Sequence, residues 1–130
     1  MIALIRSAML DFYPSTEHLP GLDRVDLDGF LERYKREAPA LLWSGLVAAA
    51  IAYNLSPIVT IKKPLPATRL SPEDRARHVD LVGSTENYQL RQLMFLLKMV
   101  AGMAWGQSPE VRQAMGLSPY PEDPGTWRQA

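Results

Sequence analysis

The side chains able to do chemistry are few and scattered. The chain has two histidines, His18 and His78, and no cysteine. His18 falls in a stretch that reads as loop, and His78 in a charged helical stretch. No pair of histidines has the spacing of metal ligands, and both read as solvated. Absence of cysteine removes disulfides, thiolate metal sites, iron–sulfur ligation and a thiol nucleophile. The run Asp23-Arg24-Val25-Asp26-Leu27-Asp28-Gly29 is the nearest approach to a calcium loop. Its register fails: with Asp26 and Asp28 at the third and fifth positions, Arg24 takes the first and Lys35 the twelfth, where acidic ligands are required. An acid-rich helix start explains the run better. No serine lies in a Gly-x-Ser-x-Gly elbow and no glycine-rich loop opens a helix to hold phosphate. The carboxylate pairs Glu73/Asp74 and Glu122/Asp123 lie at a helix start and in a proline-rich tail, where no dry pocket would raise a carboxyl pKa for acid catalysis. The pattern predicts no catalytic, cofactor-binding or metal-binding residue in this chain.

The elements that could position such groups read as all-α. At 130 residues, one domain is expected. Apolar residues at Ile2, Ile5, Met9 and Phe12 have helical spacing, and Pro14 stops the run. Residues 15–24 hold Pro20-Gly21 and read as loop. Asp26 caps a helix carrying Leu27, Phe30, Leu31 and Tyr34, and Pro39 separates it from one running to about Leu55. Residues 57–69, with a short β-branched run and three prolines, read as an extended connector with one strand at most. Ser71-Pro72-Glu73-Asp74 is a helix start, with a capping serine, a first-turn proline and two acids at the positive end of the dipole. Gly83-Ser84-Thr85 interrupts that helix, and a long one follows from about Glu86 to Trp105. Ser108-Pro109-Glu110 starts a short last helix, closed by Gly116 at C′. The prediction is a single compact domain of about six helices over 1–117, with an extended Pro-rich tail over 118–130.

Two of these helices are unusually apolar. From Ala40 to Leu55, 13 of 16 residues are apolar and no charge occurs between Ala38 and Ile61; from Leu93 to Trp105, 11 of 13 are apolar. A surface helix shows one apolar stripe and one polar face, and a domain this small has little interior in which to hide two helices completely. A partner protein, a membrane or a ligand is expected to cover the remainder. A spanning helix needs about 20 apolar residues; the 40–55 segment falls short, is diluted by Ser44, Gly45 and Asn54, and is flanked by basic pairs on both sides, which gives no orientation. Close packing through its small residues is favoured, and no transmembrane segment is expected. In the long helix, Leu90, Leu93, Met94, Leu97, Val100, Ala101 and Ala104 form one face, expected to join the domain's own core. Phe95, Met99 and Met103, with Lys98 beside them, form another, for which a protein partner is favoured over a second layer of the same domain. Trp105, Tyr120 and Trp127 are further interface candidates, with core packing the competing role for Trp105. Net charge is zero, which gives no electrostatic attraction for nucleic acid.

The stretch Leu70-Ser-Pro-Glu-Asp-Arg75, the pair Arg91 and Lys98 on the long helix, and Ser108-Pro-Glu-Val-Arg-Gln-Ala-Met-Gly116 occur in an order seen elsewhere, with Leu19-Pro20-Gly21 and Asp26-Leu-Asp-Gly-Phe-Leu31 upstream. Over about 19–120 the chain resembles the gluconate 2-dehydrogenase subunit 3-like family, the small subunits of flavin-dependent oxidoreductases of the glucose–methanol–choline class. The resemblance implies a non-catalytic subunit that binds and stabilises a large FAD-dependent alcohol or sugar dehydrogenase subunit, with the FAD in the partner and no cofactor in this chain. Many such small subunits carry a twin-arginine leader. None is visible here, so a cytoplasmic complex is expected, or a periplasmic one if a leader was removed. The alternative is a stand-alone helical module that binds an apolar ligand or lipid between its helices.

Overall fold

The computed structural model describes residues 1–118. They form one all-helical domain of seven α-helices: α1 (Ile2–Phe12), α2 (Leu27–Glu37), α3 (Ala40–Leu55), α4 (Pro57–Thr60), α5 (Pro72–Gly83), α6 (Tyr88–Gly106) and α7 (Pro109–Ala114), with short 3-10 turns at Leu22–Arg24 and Ala67–Arg69. No strand occurs among the described residues. The two apolar helices, α3 and α6, pack along one another, and α1 lies against both while α2 and α5 close the sides. Ile5, Met9, Leu31, Leu46, Tyr53, Leu97 and Val100 are wholly buried in the shared core.

The local signals act where they occur. The side chains of Asp26, Ser71, Asn87 and Ser108 each accept a hydrogen bond from the third residue into their helices, satisfying a donor that would otherwise be unpaired. Gly116 adopts φ +73° just after α7, the left-handed conformation glycine reaches without a Cβ penalty. At Gly21 the constraint is space. Leu22 N donates to Tyr13 O and Gly21 N to Ser15 Oγ, drawing two backbone segments so close that a Cβ would lie 2.4 Å from Ser15 N and Tyr13 O.

The expected extended connector over 57–69 is instead α4 followed by the 3-10 turn. A β-branched run makes a strand only where a partner strand pairs its backbone. None exists among the described residues, and the run satisfies its backbone locally: Val59 N and Thr60 N donate to Ser56 O, and Lys63 N to Pro57 O. Pro57 occupies the first helical turn, where its missing N–H costs nothing. Lys62, at φ 58°, turns the chain out, and Lys63 pairs with Asp74 on α5, which holds that carboxyl below its usual range.

His78 is not solvated as expected: its side chain is completely buried. Its Nε2–H donates to Tyr53 O at 2.9 Å, and because a carbonyl only accepts, neutral Nδ1 is the acceptor for the Thr60 hydroxyl at 2.7 Å. Its ring also lies against that of Tyr53, centroids 4.7 Å apart. Tyr53 in turn donates its hydroxyl to Asp11 Oδ2 at 2.6 Å. Arg75 Nε faces the same oxygen at 3.7 Å, outside hydrogen-bonding reach, while its terminal nitrogen donates to the carbonyls of Thr68 and Leu70. One polar cluster thus ties α1, α3, α4, α5 and the 67–70 turn together. Burial pushes the Asp11 carboxyl up, against the opposing pull of Tyr53 and Arg75. Burial and the Asp11 contact push the Tyr53 phenol far up. Burial pushes the His78 imidazole below its ordinary value, against the pull of the Tyr53 carbonyl.

Gly21→Ala is expected to cost about 1–3 kcal/mol through overpacking. Gly83→Ala, where a Cβ meets open space, should be neutral or stabilise by up to about 1 kcal/mol; paired denaturant titrations compare the two. For His78 the unfolded chain takes up a proton near 6.5 and the native state resists it, so stability is full above that pH and falls as pH drops through it. Asp11 acts oppositely: its raised value favours the native state until pH rises through it. His78→Leu is expected to lose about 2–4 kcal/mol and to abolish the decline that begins near pH 6.5. Denaturation midpoints between pH 5 and 8 read this, and the same decline in both proteins would contradict the assignment.

Candidate interaction surface

Helix α6 divides lengthwise. Met94, Leu97, Val100, Ala101 and Ala104 are buried, and Leu90 and Leu93 are packed against the core. The opposite arc carries Phe95, 63% exposed, Met99, 46%, and Met103, 55%. Spacings of four residues place these three on one side of the helix, so the structure brings together three of the residues singled out in the sequence. Tyr88, also exposed, extends the row by two turns towards the N-terminus of the helix.

Beside the row runs a groove of about 380 Å³, lined by Tyr13, Gly83, Arg91, Met94, Phe95, Lys98 and Met99. Its floor is apolar and its two cations lie on the same helix. Neither forms an ion pair among the described residues. Arg91 stacks over the Tyr88 ring at 5.9 Å and Lys98 over the Phe12 ring at 5.8 Å, modest contacts that leave their charge uncompensated. The Tyr13 hydroxyl donates to the Lys98 carbonyl and its ring stacks on Trp105 at 6.1 Å. The groove wall is therefore fixed by the loop after α1, through a contact 85 residues apart in sequence.

Trp105 is half-buried and serves the fold. Its indole N–H donates to Pro20 O at 2.8 Å, the bond a buried tryptophan needs, and it packs beside the core. Tyr120 and Trp127 lie outside the described residues. None of the groups with displaced acidity (Asp11, Tyr34, Tyr53, Asp74, His78) lines the groove. His78, which the sequence undervalued, has no exposed surface, so no solute reaches its imidazole. The signal for its burial was Val82, four residues on and on the same face of α5.

A second apolar surface lies on α3. Leu41, Leu42, Ile51 and Leu55 are exposed, and Ile58 and Val59 on α4 follow them. Gly45 brings α3 against α6 so closely that a Cβ there would lie 3.0 Å from Leu96. No group of three or more His, Asp or Glu side chains among the described residues could hold a metal, and no described helix is long and apolar enough to cross a membrane. Comparison of the chain with protein-family models, with curated proteins and with solved structures gives no match.

Proposed function

We propose that this chain is a non-catalytic binding subunit whose α6 face seats against a larger protein, and that the partner is an FAD-dependent dehydrogenase subunit of the glucose–methanol–choline type. The observation that carries the binding role is the exposed row Phe95, Met99 and Met103 flanked by the uncompensated cations Arg91 and Lys98. A row of large apolar and sulfur-containing side chains is expensive to leave in water, and such residues are enriched where proteins meet. The two cations add an electrostatic register for an acidic rim on the partner. The flavoprotein identity rests on the resemblance carried by Leu70–Arg75, Arg91, Lys98 and Ser108–Gly116. In this reading the flavin and the reacting groups belong to the partner, and the small chain stabilises it by covering its complementary surface.

The apolar floor of the 380 Å³ groove supports a second reading, a site for a small apolar or anionic amphiphilic ligand. The two readings differ in what accompanies the chain out of its host cell. Affinity purification of the tagged chain from that host is expected to yield a stoichiometric complex with a flavin absorption spectrum. Solvent extraction giving a bound apolar molecule, with no protein partner, would reverse the order. Within a complex, Phe95→Ala is expected to weaken association about 30-fold, near 2 kcal/mol, as a central anchor does. Arg33→Ala, at an exposed position on α2, should leave it unchanged. Titration calorimetry or surface binding of the two variants checks this.

A further inference from the structure

The exposed side of α3 has a spacing of its own. Leu41, Ser44, Ala48, Ile51 and Leu55 are all exposed and follow one another at intervals of 3, 4, 3 and 4 residues, the seam of a helix pair. Read from Ala48, the stripe is nearly the same in both directions: Leu41 lies seven residues before it and Leu55 seven after, Ser44 four before and Ile51 three after. The two leucines at the ends are 82% and 63% exposed. The centre is small, which lets a second helix approach closely there. No charge occurs between Ala38 and Ile61, so nothing in the stripe repels a copy of itself.

We propose that a second copy of this chain packs on this face, α3 against α3 and antiparallel, with a two-fold axis passing beside Ala48. Leu41 then meets the leucine at 55 of the other copy, Ser44 meets its isoleucine at 51, and Ala48 meets its own counterpart. This is the self-complementary contact that a two-fold interface requires. Charge selects the occupant. The same operation about Phe95 on α6 would set Arg91 against the other copy's lysine at 98, two like charges in an apolar contact, which is unfavourable. The neutral α3 face suits a second copy, and the cationic α6 face suits a different, acidic-rimmed partner. The proposal does not depend on the identity of that partner.

Sedimentation equilibrium of the full chain over a range of concentrations tests it. The expected result is a dimer, reduced to half that mass by Ala48→Glu with the helical circular dichroism unchanged, since position 48 is exposed. The absence of cysteine from the chain gives a second, register-specific readout. Under mild oxidation Ala48→Cys should form a disulfide-linked dimer more than tenfold faster than Leu41→Cys, because only the central position meets its own counterpart within disulfide reach. A chain that stays monomeric at every concentration, with its α3 face left for a partner or a lipid surface, would overturn the proposal. So would a dimer indifferent to Ala48→Glu, or self-cross-linking at position 41 as fast as at 48.

Discussion

The contact between α3 and α6 is the constraint on which the rest of this protein depends. Both helices are apolar on nearly every side, yet each can bury only the arc that faces the other and the crossing helix α1. Gly45 against Leu96 sets how closely they approach. Leu46, Ala49, Ala50 and Tyr53 on one side and Leu97, Val100, Ala101 and Ala104 on the other fill the interior. Among the described residues there is too little additional structure to cover the outer arcs. The exposed rows at Phe95–Met103 and Leu41–Leu55 follow from that shortage of cover, and they are the surfaces on which the proposed contacts rest.

Polar chemistry is directed inward. Asp11, Tyr53, Arg75 and His78 form a cluster that fastens α1, α3, α4 and α5 and the 67–70 turn. Buried polar groups cost free energy unless paired, and a nearly satisfied set fixes one arrangement of helices over others of similar apolar content. Apolar helices such as α3 and α6 have many near-equivalent ways to pack, and the cluster discriminates among them. These four residues therefore serve specificity of fold, while the α6 face offers shape, apolar area and two cations.

What was legible in the sequence was local. Asp26, Ser71 and Ser108 announce helix starts because a cap bonds within three residues, and each does so in the structure. The two-faced character of α6 was legible because periodicity alone separates Met94, Leu97 and Val100 from Phe95, Met99 and Met103. The segment 57–69 was misread because the fate of a β-branched run depends on whether another strand is present to pair with it, and that is decided elsewhere in the chain. His78 was misread because its charged neighbours Arg77 and Asp80 face solvent while it shares the inward face with Val82. Trp105 was left between two roles, and its partner, the Pro20 carbonyl, is 85 residues away.

In the proposed function the α6 face is covered by a protein partner. The row itself supplies the probe. Met99 and Met103 are exposed, Met9 and Met94 are buried, and Met115, beyond α7, is exposed. Exposed thioethers oxidise readily to the sulfoxide. Peroxide footprinting read by mass spectrometry, on the free chain and on the complex isolated from its host, compares these five positions directly. Met99 and Met103 are expected to oxidise rapidly in the free chain and to be strongly protected in the complex, with Met115 reacting in the free chain as a solvent-exposed reference. Equal oxidation of Met99 and Met103 in the free chain and the complex would contradict the proposed function.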